Sequence, residues 1–465
     1  MPEVKSEIFR EYDIRGHESE LDDKTTYLIG KAFGSFVLRT SGDEIVVGRD
    51  NRKSSERIKK AFCKGVIDSG CNIIDIGLVP IPALYFAIIE LNTYGGAMIT
   101  GSHLAKDFNG LKLSASKNAL TLYGPQIAKL REMIIGEDFE SGNGKLEKSE
   151  ILDIYVENVL KRIKIEEPLK VVVDCGNGCS SLVAEQIFEG AGCKAKMLFC
   201  ELDGNFPNHH PDPAEPENLH TLIKEVKKQK AALGVAFDGD ADRIGAVSEN
   251  GTIVAGDYLL AIFAKDLLKR KKNAKIVFEV KCSQALKEII EAYGGIPIMY
   301  KTGHSLIKNK MVEEGALLAG EMSGHMFFRE NYYGFDDAVY ASMKLCEILS
   351  KEDKSLSKII GELPRYYITP EIRLSCTESD KWKIVEKIID HFEGKYNVIK
   401  IDGARVLLDD GWFLVRASNT SAKIIVRAES KSKTKLNNTL NLLSKKLIEI
   451  GLKKEEAIKI LDYRV

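Results

Sequence analysis

The sequence predicts an α/β protein: three similar mixed α/β domains and a C-terminal α+β domain, arranged around a central cleft. Three observations lead there. A grammar of strand, polar turn, helix, glycine and strand, the signature of a βαβ unit, occurs three times. Each copy is followed by another helix and a short run of small apolar residues that stops at an unusual polar loop. Roughly the last hundred residues abandon that order for alternating strands and two helices, which suggests helices on one antiparallel sheet.

Bulk properties agree. At 465 residues the chain is too long for one core and divides into three or four domains of ordinary size. With 44% hydrophobic and 29% charged residues, it reads as a soluble globular protein. Lys and Arg total 67 against 68 Asp and Glu, so no basic excess is available to displace counterions, and a general nucleic-acid binder is excluded. The opening residues carry no apolar signal core, and no run of about 18 apolar residues occurs, so the expectation is a cytoplasmic protein without a membrane segment. The nine cysteines are scattered, and Cys175 and Cys179 lack a second pair or a nearby histidine to complete a zinc set. Buried thiols in a reducing compartment are expected.

In chain order, Phe9 to Gly16 reads first as a strand with a solvated face carrying Tyr12 and Arg15. The first copy of the repeat follows: a strand over 44–50, a helix over 54–68, Gly70, and a strand over 72–77. The second runs through a strand over 169–176, a helix over 181–189, Gly192 and a strand over 194–199. The third uses 275–281, a helix over 283–293, Gly294-Gly295 and a strand over 296–300. Their later apolar runs lie at 95–99, 232–237 and 315–319. In open α/β sheets ligands gather beyond the carboxyl ends of strands, so three equivalent loops could line one cleft. The final segment offers strands over 366–374, 398–401, 412–415 and 423–427, with helices over 381–392 and 435–450. Residues 205–217, rich in proline and acid, read as an ordered surface loop before a helix.

Four loops carry chemistry. Ser102, with His103 beside it and Lys112 ten residues on, sits on the turn leaving a buried strand, where a hydroxyl can act as a nucleophile. The pattern is not Gly-x-Ser-x-Gly, so a hydrolase elbow is a poor match. Asp238-Gly239-Asp240-Ala241-Asp242-Arg243 places three carboxylates at alternate positions, and such hard oxygen ligands favour Mg²⁺ or Ca²⁺. An EF-hand is the rival, since Glu249 falls at the twelfth position, but Arg243 stands where that loop needs glycine and the flanks look like strands. Gly320-Glu321-Met322-Ser323-Gly324-His325 suits a hydroxyl-rich ligand. Arg416-Ala417-Ser418-Asn419-Thr420-Ser421 suits a phosphate dianion.

Together, and in this order, the four loops resemble those of the α-D-phosphohexomutases. The resemblance spans the chain, from Tyr12-Asp13-Ile14-Arg15-Gly16 through Lys301-Thr302-Gly303-His304-Ser305 to Asp402-Gly403-Ala404-Arg405. It is nearest to the branch acting on mannose and glucose phosphates. It implies a fourth domain resembling the TATA-binding-protein fold and divides the chain at 1–150 (serine loop), 151–253 (metal loop), 254–367 (sugar loop) and 368–465 (phosphate loop). It further implies that Ser102 works as a phosphoserine beside Mg²⁺ held by Ser102, Asp238, Asp240 and Asp242. That phosphoryl passes to a hexose 1- or 6-phosphate, giving a hexose 1,6-bisphosphate that turns end for end and also serves as activator. Lys112, Arg15, His103 and Arg243 would assist transfer, as would His325, which is also placed among the substrate-binding residues. Glu321 and Ser323 would grip ring hydroxyls, Arg416, Ser418, Asn419 and Thr420 the idle phosphate, and Tyr12, Lys281 and His304 would line the cleft. The partners implied are small-molecule sugar phosphates.

The chain departs from the family at Leu104-Ala105, where Asn-Pro is usual, and at Phe108, where tyrosine is common. Kept residues Ser102, His103, Asn109, Gly110 and Lys112 point to altered loop rigidity and retained chemistry. Phosphoglucosamine mutases favour glutamine where Met322 stands, and they carry Ser-Gly-Thr-Glu where this chain has Ser418-Asn419-Thr420-Ser421. The alternatives are therefore a phosphoglucosamine mutase, a non-catalytic sugar-phosphate sensor, and a phosphatase forming an aspartyl phosphate at Asp238.

Overall fold

Each of the three repeats folds around the same four-stranded core, seen in a computed structural model that describes residues 4–418 and 421–464. In the first, Glu44–Arg49 pairs in parallel with Asn72–Leu78 on one side and Gly96–Ile99 on the other, and Gly96–Ile99 pairs antiparallel with Phe108–Ser114. Lys170–Asp174, Lys194–Leu198, Leu233–Phe237 and Ile244–Ser248 repeat that arrangement. Lys275–Glu279, Ile296–Tyr300, Leu318–Gly320 and Met326–Phe328 repeat it again. The recurring glycine has a common job: Gly70, Gly192 and Gly294 follow equivalent helices with φ of 101°, 91° and 79°, a left-handed conformation open to glycine at little cost. In every repeat the candidate loop joins the third strand to the antiparallel fourth, so all three occupy one structural position.

The first sheet gains Ile14–His17 and Leu146–Lys148 at its edges, and the second gains Ile253–Val254. The strand expected with a solvated face covers only Ile14–His17, and both Tyr12 and Asp13 before it are buried. Tyr12 finds its partner, the Thr302 carbonyl, 290 positions away, whereas Asp13 is held by its neighbour Arg15. The third apolar run begins at Leu318, since Gly315, with φ of 66°, caps the helix His304–Glu314. The helix expected over 181–189 opens as a 3-10 turn, Cys179–Leu182, before Ala184–Gly190.

The last domain is one antiparallel sheet with the helices Asp380–Phe392 and Lys433–Glu449 packed on it. The strand expected over 366–374 is broken by Pro370 into Tyr367–Ile368 and Ile372–Ser375, both pairing with Lys423–Ser430. Ala404–Leu408, a buried strand the periodicity did not reveal, lies between Asn397–Ile399 and Gly411–Ala417.

The cores differ in extent. One apolar core runs through the first three domains, from the helix Ile81–Glu90, buried over its first eight residues, to Tyr155 and Phe188 and on to Phe278 and Phe335, and the first domain adds a second core around Phe33 and Phe62. The fourth domain keeps its own core and meets the third through the small cluster of Val280, Trp412 and Leu414. All nine cysteines are free thiols, seven of them buried. Among the described residues no helix is long and apolar enough to cross a membrane.

Candidate active site

The strand Gly96–Ile99 is buried throughout and delivers the chain to Ser102, whose φ of 48° turns it sharply towards the return strand Phe108–Ser114. The Ser102 Oγ donates to Asp238 Oδ2 at 2.7 Å and lies 3.2 Å from His103 Nδ1. Thr100 steadies the turn: its Oγ1 accepts from the Ser102 amide at 2.9 Å and donates to Asp240 Oδ2 at 2.9 Å.

The aspartate loop joins the antiparallel strands Leu233–Phe237 and Ile244–Ser248, which excludes the helix-flanked EF-hand. Glu249 instead bonds Ser357, away from the loop. Asp238 Oδ1 accepts from the amides of Asp242 and Arg243 at 3.0 and 3.1 Å, folding the turn so that the three carboxyl groups converge. One oxygen from each lies within 4.8 Å of the others, and all three residues are fully buried. Gly239 permits the meeting of the two loops, for a Cβ there would stand 2.6 Å from the Ser102 carbonyl oxygen. Among the described residues, Asp240 Oδ1 and Asp242 Oδ1 are buried without hydrogen-bond partners. Converging carboxylates with spare buried oxygens, next to a hydroxyl, fit a hard divalent cation.

Lys112, from the return strand, donates to Asp240 Oδ2 at 2.9 Å and to Asp242 Oδ2 at 2.5 Å. Burial opposes its charge, but the aspartates prevail and raise its pKa above the ordinary lysine value. Burial and the two neighbouring carboxylates push Asp238 well above the usual range, while Lys112, against burial, holds Asp242 below it. Burial, with Arg243, Arg15 and Lys112 nearby, drives His103 well below the ordinary histidine value.

His325 behaves oppositely. Its Nδ1 lies 3.0 Å from Asp336 Oδ2 and 3.7 Å from Asp242 Oδ1, and its Nε2 accepts from Arg243 Nε at 3.2 Å. Burial works against its charge, yet Asp242 and Asp336 raise its pKa. His304 stacks on it at 5.2 Å but is pushed well below the ordinary value by burial. Ser102, His103, Lys112, Arg15, Arg243, His304 and His325 line a single pocket with Asp13 and Leu104. Arg15 is anchored there by Asp13 at 2.8 Å.

The sugar loop adjoins this pocket through the bond from the Ile244 amide to the Gly324 carbonyl at 3.1 Å. Glu321 Oε1 accepts from the Gly303 amide at 2.7 Å, and burial, with Glu279 close by, raises its pKa to about 7. Ser323 is half-buried beside it. Tyr12 donates to the Thr302 carbonyl at 3.1 Å, the Thr302 amide donates to Asp402 Oδ2 at 3.0 Å, and Arg416 pairs with Asp402 at 3.1 Å. A continuous path thus links the serine pocket to the loop of the fourth domain. Lys281 bridges the third and fourth domains through Glu371 at 2.9 Å. Ser418 Oγ lies 2.9 Å from Ser421 Oγ, and Asn419 and Thr420 fall outside the described residues.

Several residues with a part here went unnoticed in the sequence. Asp336 stands between His304, His325 and Lys308, disguised as half of an Asp-Asp pair whose second member, Asp337, caps the next helix through the Tyr340 amide at 2.8 Å. Asp402 sits in a stretch quoted only for its resemblance. Asp50 and Arg52 lie directly beyond a strand end, the signal that could have singled them out.

Family models match four consecutive stretches: phosphoglucomutase/phosphomannomutase alpha/beta/alpha domain I over residues 6–141, domain II over 153–251, domain III over 255–367, and the C-terminal domain over 371–443. The phosphomannomutase/phosphoglucomutase of Pseudomonas aeruginosa is 46% identical over 437 residues, 94% of each chain. The phosphoglucomutase of Neisseria gonorrhoeae is 40% identical over 447 residues, 95% of this chain and 96% of that one. A solved phosphoglucomutase/phosphomannomutase family protein from Burkholderia thailandensis superposes with a TM-score of 0.91 at 40% identity, covering 97% of this chain and 99% of its own.

Proposed function

The chain belongs to the phosphoglucomutase/phosphomannomutase family of α-D-phosphohexomutases, and we propose that it interconverts the 1- and 6-phosphates of mannose and glucose through a phosphoserine at Ser102. The observation that carries this reading is the 2.7 Å contact from Ser102 Oγ to Asp238, within a nest of three buried aspartates. A hydroxyl in that setting can exchange a phosphoryl group with a bound alcohol, and the group it carries would bear about −1.5 to −2 charges at neutral pH.

In the forward step the free hydroxyl of a hexose phosphate attacks phosphoserine, its new O–P bond forming as the Ser102 O–P bond breaks and its proton leaving. The hexose 1,6-bisphosphate then reverses, and Ser102 takes back the other phosphoryl. Asp238, Asp240 and Asp242 with an oxygen on Ser102 would hold Mg²⁺, which when bound offsets negative charge on the phosphoryl oxygens in transfer. Arg15 and Arg243 supply fixed positive charge in the same pocket. His103, beside the Ser102 oxygen, and His325, across the same pocket, are imidazoles of the kind that can pass a proton to or from the sugar hydroxyl.

Because both ends of the sugar must visit Ser102, the rest of the cleft must accept either orientation. Glu321 and Ser323 would hold ring hydroxyls common to both, and Arg416 with Ser418, Asn419 and Thr420 the phosphate that is not reacting. Tyr12, Lys281 and His304 would border the ring. The relatives named for mannose and glucose favour those sugars over glucosamine, and Met322 agrees. A catalytically silent sensor is less favoured, since the named relatives are enzymes. The reading is tested by loading the protein with ³²P-labelled hexose 1,6-bisphosphate as activator and then assaying glucose, mannose and glucosamine 1-phosphates. Label on Ser102 with turnover of the first two is expected. Turnover without label at Ser102, or label without turnover, would reject it.

A further inference from the structure

The loop bearing Ser102 is held by something the reaction scheme does not use. Arg52 lies just beyond the strand Glu44–Arg49, and its side chain is wholly buried. One guanidinium nitrogen donates to the carbonyls of Ala105 at 2.6 Å and Phe108 at 3.0 Å; the other donates to those of Ser102 at 2.8 Å and Leu104 at 2.6 Å. Asp50 balances the charge, with Oδ2 3.2 Å from Arg52 Nε, and the same oxygen accepts from the Gly101 amide at 3.0 Å. A Cβ at Gly101 would collide with the guanidinium.

The opposite face of Arg52 is covered by the second domain. The Phe206 ring centre lies 5.0 Å from the guanidinium carbon, and the Phe206 ring edge also lies 3.7 Å from where a Cβ on Gly239 would stand. Phe206 therefore touches the support of the serine loop and reaches the aspartate loop together. It belongs to the proline-rich stretch over 205–217, whose Asp212 lies 3.8 Å from Arg243.

We propose that Arg52, backed by Phe206, is a positioning residue for phosphoryl transfer: it sets where the Ser102 oxygen points relative to the aspartates. The inference rests on the reading of Ser102 as phosphoryl carrier. A flat guanidinium can serve four carbonyls in one plane and stack on a ring, whereas a lysine ammonium is a point charge with three donors. The clamp also explains Leu104-Ala105. Arg52 grips their backbone oxygens, which holds the loop path through its main chain where no proline ring restricts it.

The test uses the full chain with Mg²⁺ as wild type, Ser102→Ala, Arg52→Lys and Phe206→Leu. Each is loaded from ³²P-labelled glucose 1,6-bisphosphate and assayed for kcat, KM for glucose 1-phosphate, and label lost to water per turnover. A reacting atom displaced by about 1 Å can cost about 100-fold, so Arg52→Lys should lose about that in kcat while KM changes less than about threefold. Its phosphoserine should lose a larger share of label to water. Phe206→Leu should lose about tenfold in kcat with KM again nearly unchanged. A variant that merely weakened the fold would lower the active fraction without changing the share of label lost to water. If Arg52→Lys shows no melting transition, Phe206→Leu decides. A kcat within about twofold of wild type in the deciding variant, or a loss confined to KM, overturns the positioning role alone. Wild-type protein that turns over without label at Ser102 overturns the Ser102 reading and this inference with it.

Discussion

The two sides of the cleft are built differently. On the serine side the groups proposed to react already touch: Ser102 meets Asp238, Thr100 and Lys112 meet Asp240, and one apolar core runs between the domains supplying them, beside a second core within the first domain. On the recognition side the cations are occupied by the protein's own acids, Arg416 by Asp402 and Lys281 by Glu371, and the fourth domain joins the third through a small apolar cluster and buried arginines. Phosphoryl transfer tolerates little displacement, and the serine side is accordingly tied by direct contacts across two domains. On the proposed reading, a site that accepts the sugar in two orientations gains by holding Arg416 and Lys281 on local acids that a phosphate can displace.

That contrast can be broken by substitution, starting with the largest effect. Ser102→Ala should lower kcat at least about a thousandfold while Mg²⁺ binding, read by calorimetry, persists. Comparable turnover would empty the serine side of its role. Asp240→Asn should weaken Mg²⁺ binding by about 100-fold and reduce kcat with it, since one of three converging carboxylates loses its charge. Unchanged metal affinity would move the cation elsewhere. Arg416→Lys should act on the other side, raising KM for glucose 1-phosphate about tenfold through loss of the forked contact with phosphate, with kcat little changed. A fall in kcat at constant KM would erase the division between the two sides.

The smallest effect sharpens the comparison through pH. Burial and Glu279 raise Glu321 to about 7 in the folded chain, above the ordinary carboxyl value of 4.5. The folded state therefore binds its proton more tightly, and that contribution to stability is full below pH 4.5 and lost as pH rises through about 7. Glu321→Gln, which keeps an acceptor for the Gly303 amide, should melt a few degrees (~2–4 °C) above wild type at pH 8 and level with it at pH 4.5. A difference of the same size at both pH values would mean that the charge costs the fold nothing and that the recognition side carries no such burden.

Much of the architecture was legible because its causes are local. The three strand, helix, glycine and strand units follow from residue periodicity and from glycines that must turn left-handed at Gly70, Gly192 and Gly294. The serine turn, the aspartate trio and the Glu321 loop stand out because each packs several reactive groups into a few residues after a buried strand. Less local features escaped. Pro370 breaks an apparently continuous strand, Ala404–Leu408 is recognisable only from its two pairing partners, and Tyr12 packs against Thr302 and His304 far along the chain.

By itself, then, the sequence determined the repeats, the loops and the kinds of chemistry they hold, because backbone preference and side-chain type act over a few neighbouring residues. Only the tertiary structure decided which groups answer one another: Ser102 with Asp238, 136 positions apart, His325 with Asp336 and Arg243, and Arg52 with four carbonyls and a ring from another domain. Those pairings depend on burial, which removes water as the competing partner and makes each buried charge or carbonyl seek its complement wherever the fold brings one.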